Sequence, residues 1–510
     1  MSYVAYVTRL KNVRKHPNAD RLLLGECFGN TVCVNLNYTD NQLGIYFPVD
    51  GQLSEEFCQV HDLVRRKDEN GNQAGGYMDP GKRNVTAVKL RGEKSDGLFM
   101  PITCVEYTGV DIATLKEGDN FTALNGHEIC QKYIPRTNHR QGRVTEGNRT
   151  RKKRAPIAPL FVEHADTEQL AYNVNAFKVG DQIEITLKMH GTSQRTAHLP
   201  TITGWYNENP FWYRVLRTVD PKKPMGRLTK KIYERAMATA VPIYDWGIVS
   251  GTRRTVLDSF EGGFYGSNEF REAYHKFFEG KLHKGEEVYY EVVGFTHTGQ
   301  SIMGQCSNKK LNDKEFVKQY GDTTTFSYGC APQAIPAVMK APEMVEVAPA
   351  VPQSDIYVYR MTMINEDGNM VEYSPEFMRY RCEQMGVKTV PVFAKGHICM
   401  DGSVSWINVI TGEDMTTAIG DEVRENDPHS FEFNPGDSVK AVAEQFYDGP
   451  DPIVKTHFRE GVVVIIVKRP KFAAYKNKNF SFKVLEGIVK ADAEAPDMEE
   501  ADGLEQTDGN

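Results

Sequence analysis

Along this chain apolar and polar residues alternate with a period of two over short runs, the pattern of half-buried β-strands. The first such runs cover 4–6, 31–34, 85–90 and 98–100, separated by turn-forming strings such as Glu69-Asn70-Gly71-Asn72 and Gly75-Gly76. This predicts a small β-barrel up to about Pro135. Further on, Ile183, Ile185 and Leu187 alternate with Glu184, Thr186 and Lys188. On a strand, the first three are buried, and Lys188 projects from the other face into a cleft, ahead of a turn at His190-Gly191. Segment 288–294 reads as a strand with Glu291 on the face of Tyr289 and Val293, and 356–360 as a strand rich in aromatics. The continuous apolar run 462–467 reads as a buried strand with Arg459-Glu460-Gly461 at its mouth. Lys476, Lys478, Phe480 and Phe482 share strand parity. Lysines in a cleft and phenylalanines in a core therefore require a bend near Asn479.

These runs divide the chain into a front barrel (1–135), a linker (136–157), a larger α/β-type unit (158–490) and a tail (491–510). The linker holds Arg136, Arg140, Arg143, Arg149, Arg151, Lys152, Lys153 and Arg154 against the single acid Glu146. It reads as a flexible cationic connector or as a sequence-independent clamp on phosphates. The larger unit contains a Pro/Ala/Val-rich surface excursion near 331–351 and a helical insertion near 376–447.

Charge and cysteine content refine this picture. The formal net charge is −7, but eight acids and no Lys or Arg fall in 491–510, so the remainder carries +1. The tail is expected to be disordered, and nucleic-acid binding must come from local patches. Nine scattered cysteines with no Cys-x-x-Cys pair argue against a structural zinc site and fit reduced thiols in a cytoplasmic protein. No apolar run reaches the roughly 18 residues of a membrane span.

A lysine is a nucleophile only where neighbouring cations or apolar walls let it give up its proton, and Lys476 and Lys478 are candidates for that service. Lys188-x-His190-Gly191-Thr192, Arg253 or Arg254, Glu291, Tyr359, Glu460 and the Lys476/Lys478 pair occur in the order of the six motifs of the covalent nucleotidyltransferases. The chain resembles that superfamily of ATP-dependent ligases and capping enzymes, and the Lys-x-His-Gly form leans toward RNA ligases. The resemblance implies that Lys188 takes AMP from ATP as a phosphoramidate and that Glu291 contacts the ribose. Tyr359 would stack on adenine, and Arg253, preferred over Arg254, would contact ribose and phosphate. Lys476 and Lys478 would hold the α-phosphate, Glu460 would bind Mg²⁺ (or Mn²⁺), and His190 and Gly191 would form the turn beside the nucleotide. Two positions depart from the pattern. Leu187 stands where many RNA ligases have Glu, with Glu184 as a stand-in, and Arg360 stands where many have Asp.

The front unit narrows the branch. His16-Pro17-Asn18-Ala19-Asp20-Arg21-Leu22 and 88–98 are similar to the tRNA-binding OB modules attached to some synthetases. Such a module ahead of a ligase domain resembles the Deinococcus-type ATP-dependent RNA ligases. The implied fold class is α+β: an OB-like β-barrel followed by an adenylyltransferase, ATP-grasp-like ligase domain of antiparallel sheets with helices. The implied partners are RNA or RNA-containing duplex ends, met by a monomer working in RNA repair or nick sealing. A DNA ligase, a capping-type enzyme and a non-catalytic RNA-binding OB protein are the alternatives. Trp205, Tyr206, Phe211, Trp212 and Tyr213, near Lys222 and Lys223, stay outside this scheme. Core packing is favoured for them over stacking on unpaired bases.

Overall fold

The computed structural model describes residues 3–67, 73–133, 156–164, 167–220, 225–253, 255–257, 260, 268–332, 351–418, 434–467 and 473–485. The turn at 69–72, the cationic run 136–154, Lys222, Lys223, Arg254, most of 331–351 and the acidic tail lie outside the described residues.

In the front unit, β1 (Ala5–Lys15), β2 (Leu22–Cys27), β3 (Asn30–Asn35), β4 (Gln42–Phe47) and β5 (Leu98–Pro101) form an antiparallel sheet in the order β5-β4-β1-β2-β3. β6 (Asn120–Phe121) adds to β1. Two apolar clusters flank this sheet, one around Ile45, Phe47 and Phe57, the other around Leu10, Val32 and Phe99. The His16-Pro17-Asn18 string has a structural duty here. Asn18 N–H donates to His16 Nδ1 at 3.0 Å, which leaves the Nε2 proton for the Leu90 carbonyl at 3.0 Å. The ring thus ties the end of β1 to the hairpin over 87–96.

The larger unit is two mainly antiparallel sheets, each with one short strand paired in parallel, and helices packed on them. Its elements, in chain order, begin with β7 (Glu168–Gln169), β8 (Gln182–Lys188), β9 (Thr192–Tyr206), α1 (Pro210–Thr218), α2 (Arg227–Met237) and β10 (Val241–Gly251). Next come α3 (Glu269–Phe278), β11 (Glu286–Gly294), β12 (Ser354–Ile364), β13 (Met370–Glu372), α4 (Pro375–Met385) and β14 (Lys388–Thr389). The last are β15 (Val392–Ile398), β16 (Val404–Asn408), β17 (Asp414–Thr417), α5 (Pro435–Glu444), β18 (Gly461–Val467) and β19 (Ala474–Lys478). The first sheet runs β7-β19-β18-β8-β15-β16-β17, and the second runs β10-β9-β11-β12-β13 with β14 on β12. The expected helical insertion at 376–447 is corrected: α4 and α5 are present, but β15, β16 and β17 between them extend the first sheet, and β15 pairs directly with β8.

β8 lies in the middle of its sheet, so Ile183, Ile185 and Leu187 are at most 3% exposed. They share a core with Val439, Val442 and Ala443 of α5. That helix starts where Asn434 accepts the Gly436 N–H and Pro435 supplies a preset φ at the first turn. On the second sheet, Met378, Cys382 and Met385 recur at helical spacing on α4 and cover Val288, Tyr290, Ile356 and Val358. Burying one such side chain contributes roughly 1.5–3 kcal/mol. Between the sheets the chain turns over Met189-His190-Gly191, so Lys188 ends one sheet and Thr192 opens the other.

The two units touch. Tyr172 stacks on Tyr6 at 4.8 Å and meets Phe28 edge-on at 5.2 Å, and Lys440 donates to the Phe28 carbonyl at 2.8 Å. Lys483 pairs with buried Asp96. No helix among the described residues is long and apolar enough to cross a membrane.

Candidate active site

Three strands of the first sheet present one face to the junction between the sheets. The register sets Lys188 opposite Gly461 and Thr186 opposite Val463, with Gly461 and Val463 opposite Lys478 and Lys476. Thr186, Lys188, Val463, Ile465, Ala474, Lys476 and Lys478 therefore share a side by the two-residue period. Gly461 is required at this crossing, because a Cβ there would run into the Asn477 carbonyl. Gly191 is required for a similar reason: a Cβ would lie 2.6 Å from the Val292 carbonyl, holding the turn off β11.

The pocket behind Lys188 has about 610 Å³ of free space, its open mouth included. Thr186, Val463, Ile465, Ala474 and Val390 give it an apolar wall, and Glu291, Tyr359, Arg253 and His164 line it from the second sheet and its loops. An apolar slot with a few convergent polar groups is the usual form of a small-ligand site. Glu291 is 8% exposed.

Charge is concentrated at the lysine end. Lys188 Nζ lies 2.9 Å from Glu460 Oε1, Lys478 Nζ lies 3.3 Å from the same oxygen, and His190 Nδ1 lies 3.4 Å from Oε2. Burial works to raise the Glu460 carboxyl, but Lys188, Lys478 and His190 outweigh it and hold it well below the ordinary carboxylate range. One carboxylate thus serves two ammonium groups, and with Lys476 beside them three lysines gather at this end of the pocket, a setting suited to an incoming phosphate. Lys476 is the next residue on that face, partly buried between Ala474 and Lys478. The required bend at Asn479 is present: β19 stops at Lys478, and the Asn479 side chain caps a helix over 480–485 by accepting the Ser481 N–H at 2.7 Å. The turn carries Phe482 out of the strand and against His190, with ring centroids 4.7 Å apart.

Several residues at the site gave no signal in the sequence. His190 N–H donates to Tyr328 Oη at 2.8 Å, and its ring sits edge-on to Phe326 at 4.6 Å. His164, outside any regular element, joins Tyr359 to Arg360. Arg360 donates to His164 Nδ1 at 2.7 Å, so the ring proton sits on Nε2, 3.3 Å from Tyr359 Oη, which in turn meets Ser193 Oγ at 3.2 Å. Arg360 is also held by Glu372 at 3.0 Å. The departure from Asp at that position thus has a local function, fixing the tautomer and the tyrosine beside the pocket. Glu184 does not stand in as an acid beside Lys188. It is bound by Arg379 of α4 at 2.5 and 3.1 Å, near Lys395, two residues back along β8 from the pocket-lining Thr186.

Against Tyr328 packs buried His457, whose carbonyl accepts the N–H of buried Asp451 at 2.9 Å, and burial shifts the two side chains in opposite directions. Burial pushes the Asp451 carboxyl up to about 6, against its hydrogen bonds from the Ile453 and Val454 N–H groups, and pushes His457 down to about 4. For Asp451 the folded state holds its proton longer than the unfolded chain. Its contribution is therefore full below pH 3.8 and is lost as pH rises to about 6. His457 behaves oppositely, destabilising the fold as pH falls from 6.5 to about 4. Asp451→Asn keeps the acceptor for both N–H groups without the charge. It is expected to raise stability at pH 7 by about 1–3 kcal/mol and leave it unchanged near pH 4. Denaturant melts at the two pH values check this, and equal gains at both would show that burial of the charge is not the cause.

Among the described residues, no three His, Cys, Asp or Glu side chains gather as a metal-binding group. No family model and no curated protein matches the chain. The chain is similar to solved structures of a Naegleria gruberi RNA ligase. The variant with AMP and Mn is 13% identical at TM-score 0.48, over 94% of this chain and 97% of that one. The enzyme with PPi is 13% identical at TM-score 0.47, over 96% of this chain and 99% of that one.

Proposed function

We propose that the protein is an ATP-dependent RNA ligase that joins 5′-phosphate and 3′-OH ends through a lysyl-AMP intermediate on Lys188. The observation that carries the reading is the placement of the Lys188 amine at the cationic end of the pocket, sharing Glu460 with Lys478. ATP is the substrate. Its base fits the apolar slot beside Tyr359, its ribose lies toward Glu291 and Arg253, and its α-phosphate meets Lys478 and Lys476. Lys188 Nζ forms a bond to the α-phosphorus while the bond to the β-phosphate oxygen breaks and pyrophosphate leaves. The amine gives up a proton in this step, and Glu460 as it now stands favours the charged ammonium. Approach of the triphosphate to Lys478 has to loosen that pair before attack. A 5′-phosphate oxygen then takes the AMP from Lys188, and a 3′-OH attacks the activated phosphate with AMP as leaving group. Positioning and charge dominate such transfers.

The donor set fits a divalent cation of the Mg²⁺ or Mn²⁺ kind held mainly by substrate phosphates, with Glu460 and Glu291 as the protein ligands within reach. When bound, such an ion offsets charge on the phosphoryl oxygens. The front sheet is read as an OB-type module that lays a strand toward this site. The domain division 1–135, 136–157 and 158–490 goes with it.

The test uses the whole chain. With Mg²⁺ and α-labelled ATP, label should remain on the denatured protein, and labelled GTP should give none. Nicks with an RNA 3′-OH strand should seal faster than all-DNA nicks. Absence of any covalent label would refute the reading, GTP labelling would favour a capping-type enzyme, and a DNA preference would favour a DNA ligase.

A further inference from the structure

β9 is 15 residues long and begins at Thr192, beside the Lys188 turn. At about 3.3 Å per residue it reaches up to roughly 45 Å from the pocket. It pairs with β10 out to Tyr206↔Val241, and α1 and α2 sit at that far end. The aromatic cluster of this region is partly internal to the arm. Tyr213 packs on Tyr206 at 5.3 Å and Trp212 is partly covered. Outward, the two helices present Arg214, Arg217, Arg227, Lys230, Lys231 and Arg235, all exposed, against Glu234 as the helices' single acid. None of the six has an ion-pair partner among the described residues. They recur at spacings of three and four, so each helix carries like charges on neighbouring positions, which destabilises it in isolation. An anionic polymer laid across both helices would relieve that repulsion. Phe211 (62% exposed) and Leu228 (73% exposed) add apolar contact beside the cations.

We infer that this helical arm is a second nucleic-acid contact, gripping the phosphate backbone of the polynucleotide more than one duplex turn away from the ends being joined. The inference rests on the ligase reading for the identity of those ends, but the grip itself follows from charge and reach. The arm is continuous with the strand next to the nucleophile, so whatever it holds is set at a fixed distance from Lys188. A membrane surface, the other target of exposed basic and apolar side chains, would have no use for that registration.

The test replaces the six cations with Gln in the full chain and measures anisotropy of labelled nicked RNA duplexes over a salt series. In A-form RNA, duplex arms of about 8 and about 24 base pairs fall short of and beyond the reach of the helices. On the long duplex, affinity should fall about 100-fold at low salt, and the slope of log K against log salt should shrink by several units, close to one for each phosphate no longer neutralised. Binding of the short duplex and formation of the Lys188 adduct should not change. A six-Lys variant should restore most of the affinity, which separates charge from misfolding. Equal loss on both duplexes, no loss on the long one, or cation-dependent binding to anionic vesicles without the duplex effect would overturn the inference. Should no lysine adduct form while the length-dependent loss persists, the ligase reading fails and the grip stands.

Discussion

Lys188→Ala is expected to abolish covalent labelling from ATP below detection while leaving ATP bound and pre-adenylated ends still joinable. The expectation follows from the geometry on either side of Glu460. Lys478 Nζ also reaches the shared oxygen, at 3.3 Å, but it springs from β19, across β18 from the strand that carries Lys188. Under the proposed function it meets the phosphate from the side rather than in line. Joining of pre-adenylated RNA skips the two steps that need the amine, so it should continue at a rate within about tenfold of the unaltered protein, since the remaining charges still orient the ends. Mass analysis of the denatured chain and gel separation of the sealed product read the two results. A labelled Lys188→Ala chain would remove Lys188 from its role, and loss of joining with pre-adenylated ends would mean that the amine also serves the last step.

Glu460→Gln should have the next largest effect, and a composite one. At 2% exposure Glu460 is the carboxylate for two ammonium groups. Its removal takes from both the anion they share, a loss that for buried pairs costs on the order of 3 kcal/mol. The side chains of Lys188 and Lys478 are 15% and 11% exposed, so rehydration should soften that cost. Lysine-AMP formation at its pH plateau should fall about 10²–10³-fold, the usual consequence of losing one oriented charge at a phosphoryl centre. The acid limb of the pH–rate profile should move to lower pH, because without the carboxylate the ammonium form of Lys188 is less favoured. A lower plateau with an unmoved limb would mean that Glu460 does not control the protonation of the amine.

What the sequence made legible, and what it did not, has a physical pattern. Lys188, Glu460 and Lys478 fall at strand ends, where the two-residue period fixes the face and the register fixes the neighbour. Alternation set the face of each strand residue, but their gathering was readable only through the motif resemblance; the bend at Asn479 followed from parity, because lysines and phenylalanines of one parity cannot share an environment. Glu184 was less readable: parity set its face correctly, but its partner Arg379 lies 195 residues away on a helix. The strand Val392–Ile398 was hidden because Lys395, Gly396 and His397 break its apolar pattern, and only its place beside β8 makes it a core strand. His164, Tyr328, Asp451 and His457 belong to loops, where no period announces a side chain's direction. They are found through what they touch.

The separation of β8 from its two neighbours on one side has a biosynthetic consequence. Thr186 bonds to the Val463 carbonyl across 277 residues of chain, and Glu460 and Lys478 come with the same late strands. A nascent or prematurely terminated chain ending before Glu460 would carry Lys188 but neither Glu460 nor Lys478. Under the proposed function such a fragment could not charge itself with AMP. Self-labelling would then report complete synthesis, and only finished molecules would draw on the nucleotide pool.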